Sequence, residues 1–389
     1  MKRLVMRGCV FSAVLALAGA HAAAQQVEVR VVVGEQTAKE IRAAIQRSLQ
    51  TIDARVWNEI SREIGDALRE GLSGAHYAGR EIAEALREAS SQDRNYTQEQ
   101  VAKESHTLAI GANGTLILKN ISGSITVTGG SGRSATVEVT RRSRGRTDAD
   151  AKLGLERVRV EVDHRGERAT VEARYPDDER RPPYAVTTNY VVTAPAGTAL
   201  SVTTMSGDVQ VKDIKGDVTA AVMSGSATVS GSRVSLVKAM SGTVTVTDAD
   251  ADSSMELSTM SGNIRVERAK AKRVTITALS GLVVARDVET MSATITSTSG
   301  DVEVSGTPMK GGRYEIRAHS GDVRVILPKG GFDVSARTFN GRITADPALG
   351  LQVTTSQPVR NSVLRGTVGD GGASLDVSTL SGSVTISRK

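Results

Sequence analysis

Hydrophobic and polar positions alternate with two different periods along the 389-residue chain. In the first stretch Ile41, Ile45, Leu49, Ile52, Val56, Ile60, Ile64, Leu68 and Leu72 recur at steps of three or four, with Arg, Glu and Gln between them. That period predicts one long amphipathic helix. Gly71, Gly74 and Gly79 interrupt it, and Ile82, Ala85, Leu86 and Ala89 predict a shorter second helix. The stripe fits packing on a neighbouring β-domain, pairing with another copy of itself through residues 35–72, or adsorption to a membrane surface. Its polar face carries Glu35, Glu40, Glu59, Glu63 and Glu70 among the arginines, which weakens attraction to anionic lipid.

After a polar stretch at 90–105 the period becomes two. A Ser-Gly pair recurs with glycine at 123, 207, 225, 242, 262, 281, 300, 321 and 382, and Asn340-Gly341 takes the same place. From Gly207 to Gly341 the steps lie between 17 and 21 residues. The final step of 41 reads as two steps with the marker lost between them. Two and four residues after the marker stand apolar pairs such as Val209/Val211, Val244/Val246, Ile264/Val266, Val302/Val304 and Val384/Ile386. The residue between them is mostly polar (Gln210, Thr228, Thr245, Arg265, Glu303, Arg324, Thr344, Thr385), so each copy opens with a strand that has one dry and one wet face. Most copies add a second run, for example at 218–222, 234–237, 255–257, 274–276 and 314–316, and at Val334.

About twenty residues with two or three short strands make one coil of a parallel β-solenoid, the fold class expected here, with right-handed winding. A sandwich also has many short strands, but it has no reason to repeat them in kind. The marker glycine fits a turn of positive φ, and the serine before it a hydroxyl that bonds turn backbone. Residues 107–200 are less regular. An alternating pair at 157–163 and 169–174 around His164-Arg165-Gly166-Glu167 predicts a hairpin, Arg141, Arg142, Arg144 and Arg146 a loose basic loop, and 176–183 a second loop. The expected organisation is a signal peptide at 1–24, a helical segment at 25–104, and a β-strand-repeat solenoid at 105–389 with hairpin and loop insertions at about 130–190.

Several of these residues carry a family resemblance. Residues 116–127 (LILKNISGSITV), Tyr190-Val191-Val192 with Pro195-Ala196-Gly197, residues 202–209 and the serial Ser-Gly-x-Val-x-Val copies resemble the bacterial DUF4097 β-strand-repeat family over about 105–389. The resemblance implies an envelope-associated, adhesin-like β-solenoid without catalytic residues.

Composition and charge narrow the function. Lys2, Arg3 and Arg7, the apolar stretch 9–19 and Ala22-Ala23-Ala24 read as an export signal, and an apolar run this short falls below what spans a bilayer. Without those three charges the 49 basic residues fall to 46 against 43 acidic ones, so the apparent basicity is partly the signal and does not point to nucleic acid. Aromatic residues make up 3 %, too few for stacking platforms. Cys9, the single cysteine, leaves with the signal, which removes disulfides, thiol nucleophiles and thiolate metal sites.

Two residue lanes invite chemistry. Met205, Met223, Met240 and Met260, two before the marker, could hold Cu(I), yet Leu279, Thr298, His319, Phe339 and Leu380 share the lane, which favours a corner ladder in the core. Asp208, Asp301 and Asp322 after the marker, with Asp248, Asp250 and Asp252, could hold calcium or form turns, and the turn reading is favoured. His76, His106, His164 and His319 are scattered, and no nucleophile elbow, phosphate loop or zinc-protease motif occurs. No catalytic, cofactor or metal residue is assigned.

The expected function is a non-enzymatic exported envelope protein, a β-solenoid interaction module in the periplasm or on the outer surface, with an envelope protein or glycan as partner. A periplasmic scaffold or envelope-stress component acting through its N-terminal helix is the alternative, and a carbohydrate-active enzyme on a β-helix a second one. The export reading predicts that the protein recovered from its own cells begins at Gln25. Intact-mass measurement checks this, and an N-terminus retaining residues 1–24 would contradict it.

Overall fold

The computed structural model describes residues 96–176, 182–327, 331–351, 353–357 and 360–388. The chain divides into two compact units, Met1–Glu70 and Gly71–Lys389, and every described residue lies in the second. The expected signal peptide and helical stripe therefore fall outside the described residues.

The described fold is mainly β, and two parallel ladders carry the repeat. The strands that lead into each marker pair side by side in the order Thr115–Ser122, Ala199–Ser206, Asp217–Ser224, Arg233–Ser241, Ser254–Ser261, then the second halves of Ile264–Ser280 and Val283–Ser299, then Arg313–Ser320. The strands that leave the marker form the other ladder, from Ile125–Gly130 through Val209–Lys212, Ala227–Ser230, Val244–Asp250 and the first halves of the two long strands to Val302–Ser305 and Val323–Leu327. Pairing is in register: Val211, Val229, Val246, Val266 and Ala285 are successive partners, all buried, as strict alternation requires. Like side chains thus stack on like, and one interior cluster runs from Leu108 to Ile386.

The corner between the ladders is set by the markers. Gly207, Gly225, Gly242, Gly262, Gly281, Gly300, Gly321 and Gly382 all have φ between +123° and +153°. A Cβ on any of them would stand 1.9–2.4 Å from the carbonyl oxygen of the neighbouring marker glycine. Both the backbone angle and the close approach exclude a side chain. Each of these glycine N–H groups donates to the carbonyl of the residue before the neighbouring marker, a serine in every case except Gly382, which meets Asn340; Gly242 reaches Ser261 at 2.9 Å. The marker serine thus acts through its backbone. The hydroxyls that reach the corner belong to the residue three before the marker: Ser297 donates to Gly300 at 3.1 Å and Thr338 to Gly382 at 2.8 Å. A second bend lies six residues after the marker, where Asp213, Asp248, Arg268 and Asp287 hold φ of 50–58° and Gly231 holds 59°.

Both ends depart from the simple reading. The step from Gly341 to Gly382 is not two copies with a lost marker. Ser374–Ser381 lies between Arg313–Ser320 and Phe332–Asn340, and Val384–Arg388 lies between Val323–Leu327 and Ile343–Ala345. Spatial order therefore inverts chain order, and the intervening residues form an antiparallel hairpin, Val353–Gln357 with Arg360–Val368, laid on Phe332–Asn340. At the other end Gln98–Leu108 is a strand, antiparallel to Ala135–Gly145, so strand structure starts before residue 105. The expected loose basic loop is instead part of Ala135–Gly145. Its charges are matched: Arg141 bonds Glu104 at 3.1 Å and the carbonyls of Leu155 and Val158 at 2.8 and 2.6 Å, while Glu99 meets Arg142 and Arg144.

The hairpin Arg159–Arg165 with Arg168–Arg174 is present, turning at Gly166. Before it stands the helix Asp148–Arg157, started by a capping box in which Thr147 Oγ1 accepts from the Asp150 N–H and the Asp150 carboxylate accepts from the Thr147 N–H, both at 3.1 Å.

Val211→Asp or Val266→Asp places a carboxylate in the apolar interior and is expected to cost on the order of 4 kcal/mol or more. Thr245→Asp, on the wet side, is expected to stay within about 0.5 kcal/mol of the parent. Gly242→Ala is expected to cost about 3 kcal/mol or more through strain and overlap. Urea unfolding measures all of them, and equal effects at 245 and 266 would overturn the lane assignment.

Candidate functional site

The interior is closed by like-on-like packing, so the side chains available to a ligand are those of the outward lanes. In the leaving strands one lane reads Gln210, Thr228, Thr245, Arg265, Val284, Glu303, Arg324, Thr385, Thr344 in spatial order. Neighbouring positions repeat at about 4.8 Å from strand to strand. Arg286 bonds Glu303 at 2.8 Å, Arg268 holds Asp248 through two bonds of 2.6 and 3.0 Å, and Lys270 meets Glu289 at 3.2 Å. The hydrogen bond from Arg268 holds the Asp248 carboxyl below its ordinary value, and the same bond raises the Arg268 guanidinium. These pairs are exposed and contribute little to stability. What they set is a surface of fixed hydroxyls and alternating charges, suited to hydrogen-bonding an extended polar partner.

The methionine lane is not part of the interior cluster. Met223, Met240, Met260 and Leu279 are buried, Met205 and Thr298 half-buried, and His319, Phe339 and Leu380 exposed. The pairing skips this position in successive copies: Val222 pairs Thr204 and Ser224 pairs Ser206, with Met205 and Met223 between them. The lane is a bulge along the corner, and at its far end Phe339 and Leu380 are 57 % and 45 % exposed. The expected core ladder is therefore corrected: the lane is buried in its middle but lies outside the interior cluster, because the pairing skips it, and it opens at that end.

The aspartates divide into two groups. Asp208, Asp301 and Asp322 accept the backbone N–H of the equivalent residue one copy on, from Ser226 at 2.8 Å, Asp322 at 2.8 Å and Ser383 at 2.7 Å. Asn189 and Asn263 do the same to Ser124 and Leu282, each at 2.9 Å. Asp248, Asp250 and Asp252 face Arg268 and Arg233 instead. The stack therefore uses these carboxylates as backbone acceptors and ion-pair partners. His106 lies 3.7 Å from Glu104, His164 bonds the carbonyl of Gly166 at 3.0 Å, and His319 sits in the methionine lane, so the structure does not bring them together. No helix among the described residues is long and apolar enough to cross a membrane.

Two features escaped the sequence reading. An apolar cavity of about 40 Å³, lined among others by Ile276, Ile295, Val304, Tyr314 and Ile316, lies beside the short strand Val302–Ser305. The Tyr314 hydroxyl donates to the carbonyl of Thr290 at 2.6 Å and accepts from the Met309 N–H at 2.7 Å. The other is a tyrosine pair near the first copies. Tyr175 donates to the carbonyl of Val186 at 3.2 Å, and Tyr190, fully buried, to that of Lys119 at 3.3 Å. Burial pushes the Tyr175 phenol up to about 12, against a hydrogen bond with Thr188, and burial raises Tyr190 as well.

A family model described as Toastrack DUF4097 matches residues 112–387. No curated protein matches the chain. A solved structure from Clostridium sporogenes ATCC 15579, described as a "putative cell adhesion protein", is similar at 12 % identity over 75 % of this chain and 100 % of that one, with a TM-score of 0.19.

The tyrosine pair sets a pH dependence. Unfolded tyrosine loses its proton near pH ~10, so the stabilisation by the raised phenols is complete below that pH and is lost as pH rises towards 12. The Tm is expected to fall over this range, and to fall less steeply in Tyr175→Phe. Parallel Tm curves for the two proteins would contradict the assignment.

Proposed function

Because the chain belongs to the Toastrack DUF4097 family, we propose that it is a non-enzymatic exported envelope protein whose ladders wind as a right-handed β-solenoid of about 20-residue coils and whose outward lanes bind a glycan or protein of the envelope. The observation that carries this reading is the repetition of polar side chains at one fixed strand spacing along the leaving ladder, interrupted only at the buried Val284 among the described positions, beside an interior closed by valine, isoleucine and leucine. Among the described residues such a surface offers many contacts at one repeated spacing, which suits avidity for a repetitive partner. Its domain plan is a signal peptide at 1–24, a helical segment after it, and the strand repeat to 389. The exposed Phe339 and Leu380 favour a second reading, a periplasmic scaffold that docks an apolar partner at that end of the methionine lane.

Sedimentation of the full chain with purified envelope sacculi and with outer-membrane fragments tests the proposal. Binding is expected, and the double variant Arg265→Glu/Arg324→Glu, with unchanged Tm, is expected to lose most of it. Retention of full binding by that variant, or turnover of the glycan, would count against the reading.

A further inference from the structure

Gly321 and Gly341 are 20 residues apart, an ordinary repeat step, so Phe332–Asn340 is the copy that sequential winding stacks on Arg313–Ser320. The structure holds Ser374–Arg388 in that place instead. Tyr314, Leu375 and Val334 are partners in turn, as are Ile316, Val377 and Ala336, and Val323, Val384 and Ile343. The inserted rung therefore touches both neighbours with one and the same register. Without it, Phe332–Ala345 would meet residues 313–327 in the ordinary repeat register, with Gly341 over Gly321. Two continuous stacks are thus available to the same residues, and they differ by one rung.

The inserted rung is held by the means that hold every other. Leu375, Val377, Val384 and Ile386 are buried, Gly321 and Val323 donate to the carbonyls of Ser381 and Ser383, and Gly382 and Val384 donate to those of Asn340 and Arg342. Residues 369–372 lead into it, and Gly369, Gly371 and Gly372 have φ of +60°, +68° and +110°, conformations that glycine enters and leaves at low cost. A connection with three such glycines is a hinge about which the rung can leave as a unit.

We propose that Ser374–Arg388 is an exchangeable rung, and that the slot between residues 313–327 and 332–345 takes the same segment from a second copy of this chain. The slot selects for that segment. It requires two short strands with apolar residues at alternate inward positions, joined by a glycine that can stand over Gly321 and under Gly341, and a second copy supplies all of these in the right order. Reciprocal exchange gives a dimer in which every backbone bond of the stack is kept.

Crosslinking in the full chain tests this. Arg324 and Thr385 are direct partners on the wet side of adjacent strands, a separation that a disulfide spans. One variant carries Arg324→Cys and a second, differently tagged, carries Thr385→Cys, both in a Cys9→Ser background. They are co-produced and oxidised with diamide. A chain carrying both substitutions is expected to close the disulfide within itself, which verifies the geometry. Exchange predicts a covalent heterodimer bearing both tags, above the background of a Thr228→Cys and Arg324→Cys pair. A doubly substituted chain that closes its own disulfide while the mixed variants give no heterodimer above that background would overturn the proposal, and failure of the internal disulfide would overturn the register on which it stands.

Discussion

The fold depends on one close approach. At the corner between the ladders the carbonyl oxygen of each marker glycine occupies the place where the next marker glycine would carry a Cβ. That contact is open only to a residue without a side chain. Once it is made, the glycine N–H meets the carbonyl of the neighbouring serine, the following strand starts at a fixed residue, and both ladders inherit the same register. A slip by one residue would turn the valine lane outward and the threonine and arginine lane inward. Corner geometry and interior burial therefore reinforce one another.

Much of this was legible in the sequence because the stack repeats its chemistry. The marker spacing located the copies, and alternation around Val211, Val246 and Val266 separated the dry lane from the wet one. The inverted order of the last two copies left no local trace, since Phe332–Ala345 and Ser374–Arg388 carry the same pattern and either could have followed Arg313–Leu327. The strand holding Arg141, Arg142 and Arg144 read as a loop because its charges are matched by Glu99 and Glu104, 37 or more residues away. The helix Asp148–Arg157 buries only Ala151 and Gly154, too little for an apolar stripe to reveal it, although Thr147 and Asp150 spell its cap. The second bend escaped because aspartate, glycine and arginine share it, and they share only a backbone angle.

The same regularity governs what the surface can do. Stacking forces each outward residue beside its counterpart, so like charges collect unless the sequence alternates them. Lys270 with its direct partner Glu289 and Arg268 with Asp248 show such alternation, while Asp208, Asp301 and Asp322 spend their charge on the backbone of the next copy. The candidate binding surface is therefore a product of the repeat itself. Its chemistry varies along a lane, from hydroxyl-rich at Thr228 and Thr245 to charged at Arg265 and Glu303, and between lanes, to apolar where Phe339 and Leu380 end the methionine lane.

The stacked register is tested most directly by pulsed electron-spin distance measurements from a label at residue 228 to labels at 385 and at 344. Six strand spacings separate the first pair and seven the second, so distances of roughly 29 Å and roughly 34 Å are expected. A label at 344 lying nearer to 228 than the one at 385 would contradict the order of the rungs, and distances unrelated to the strand spacing would contradict the stack.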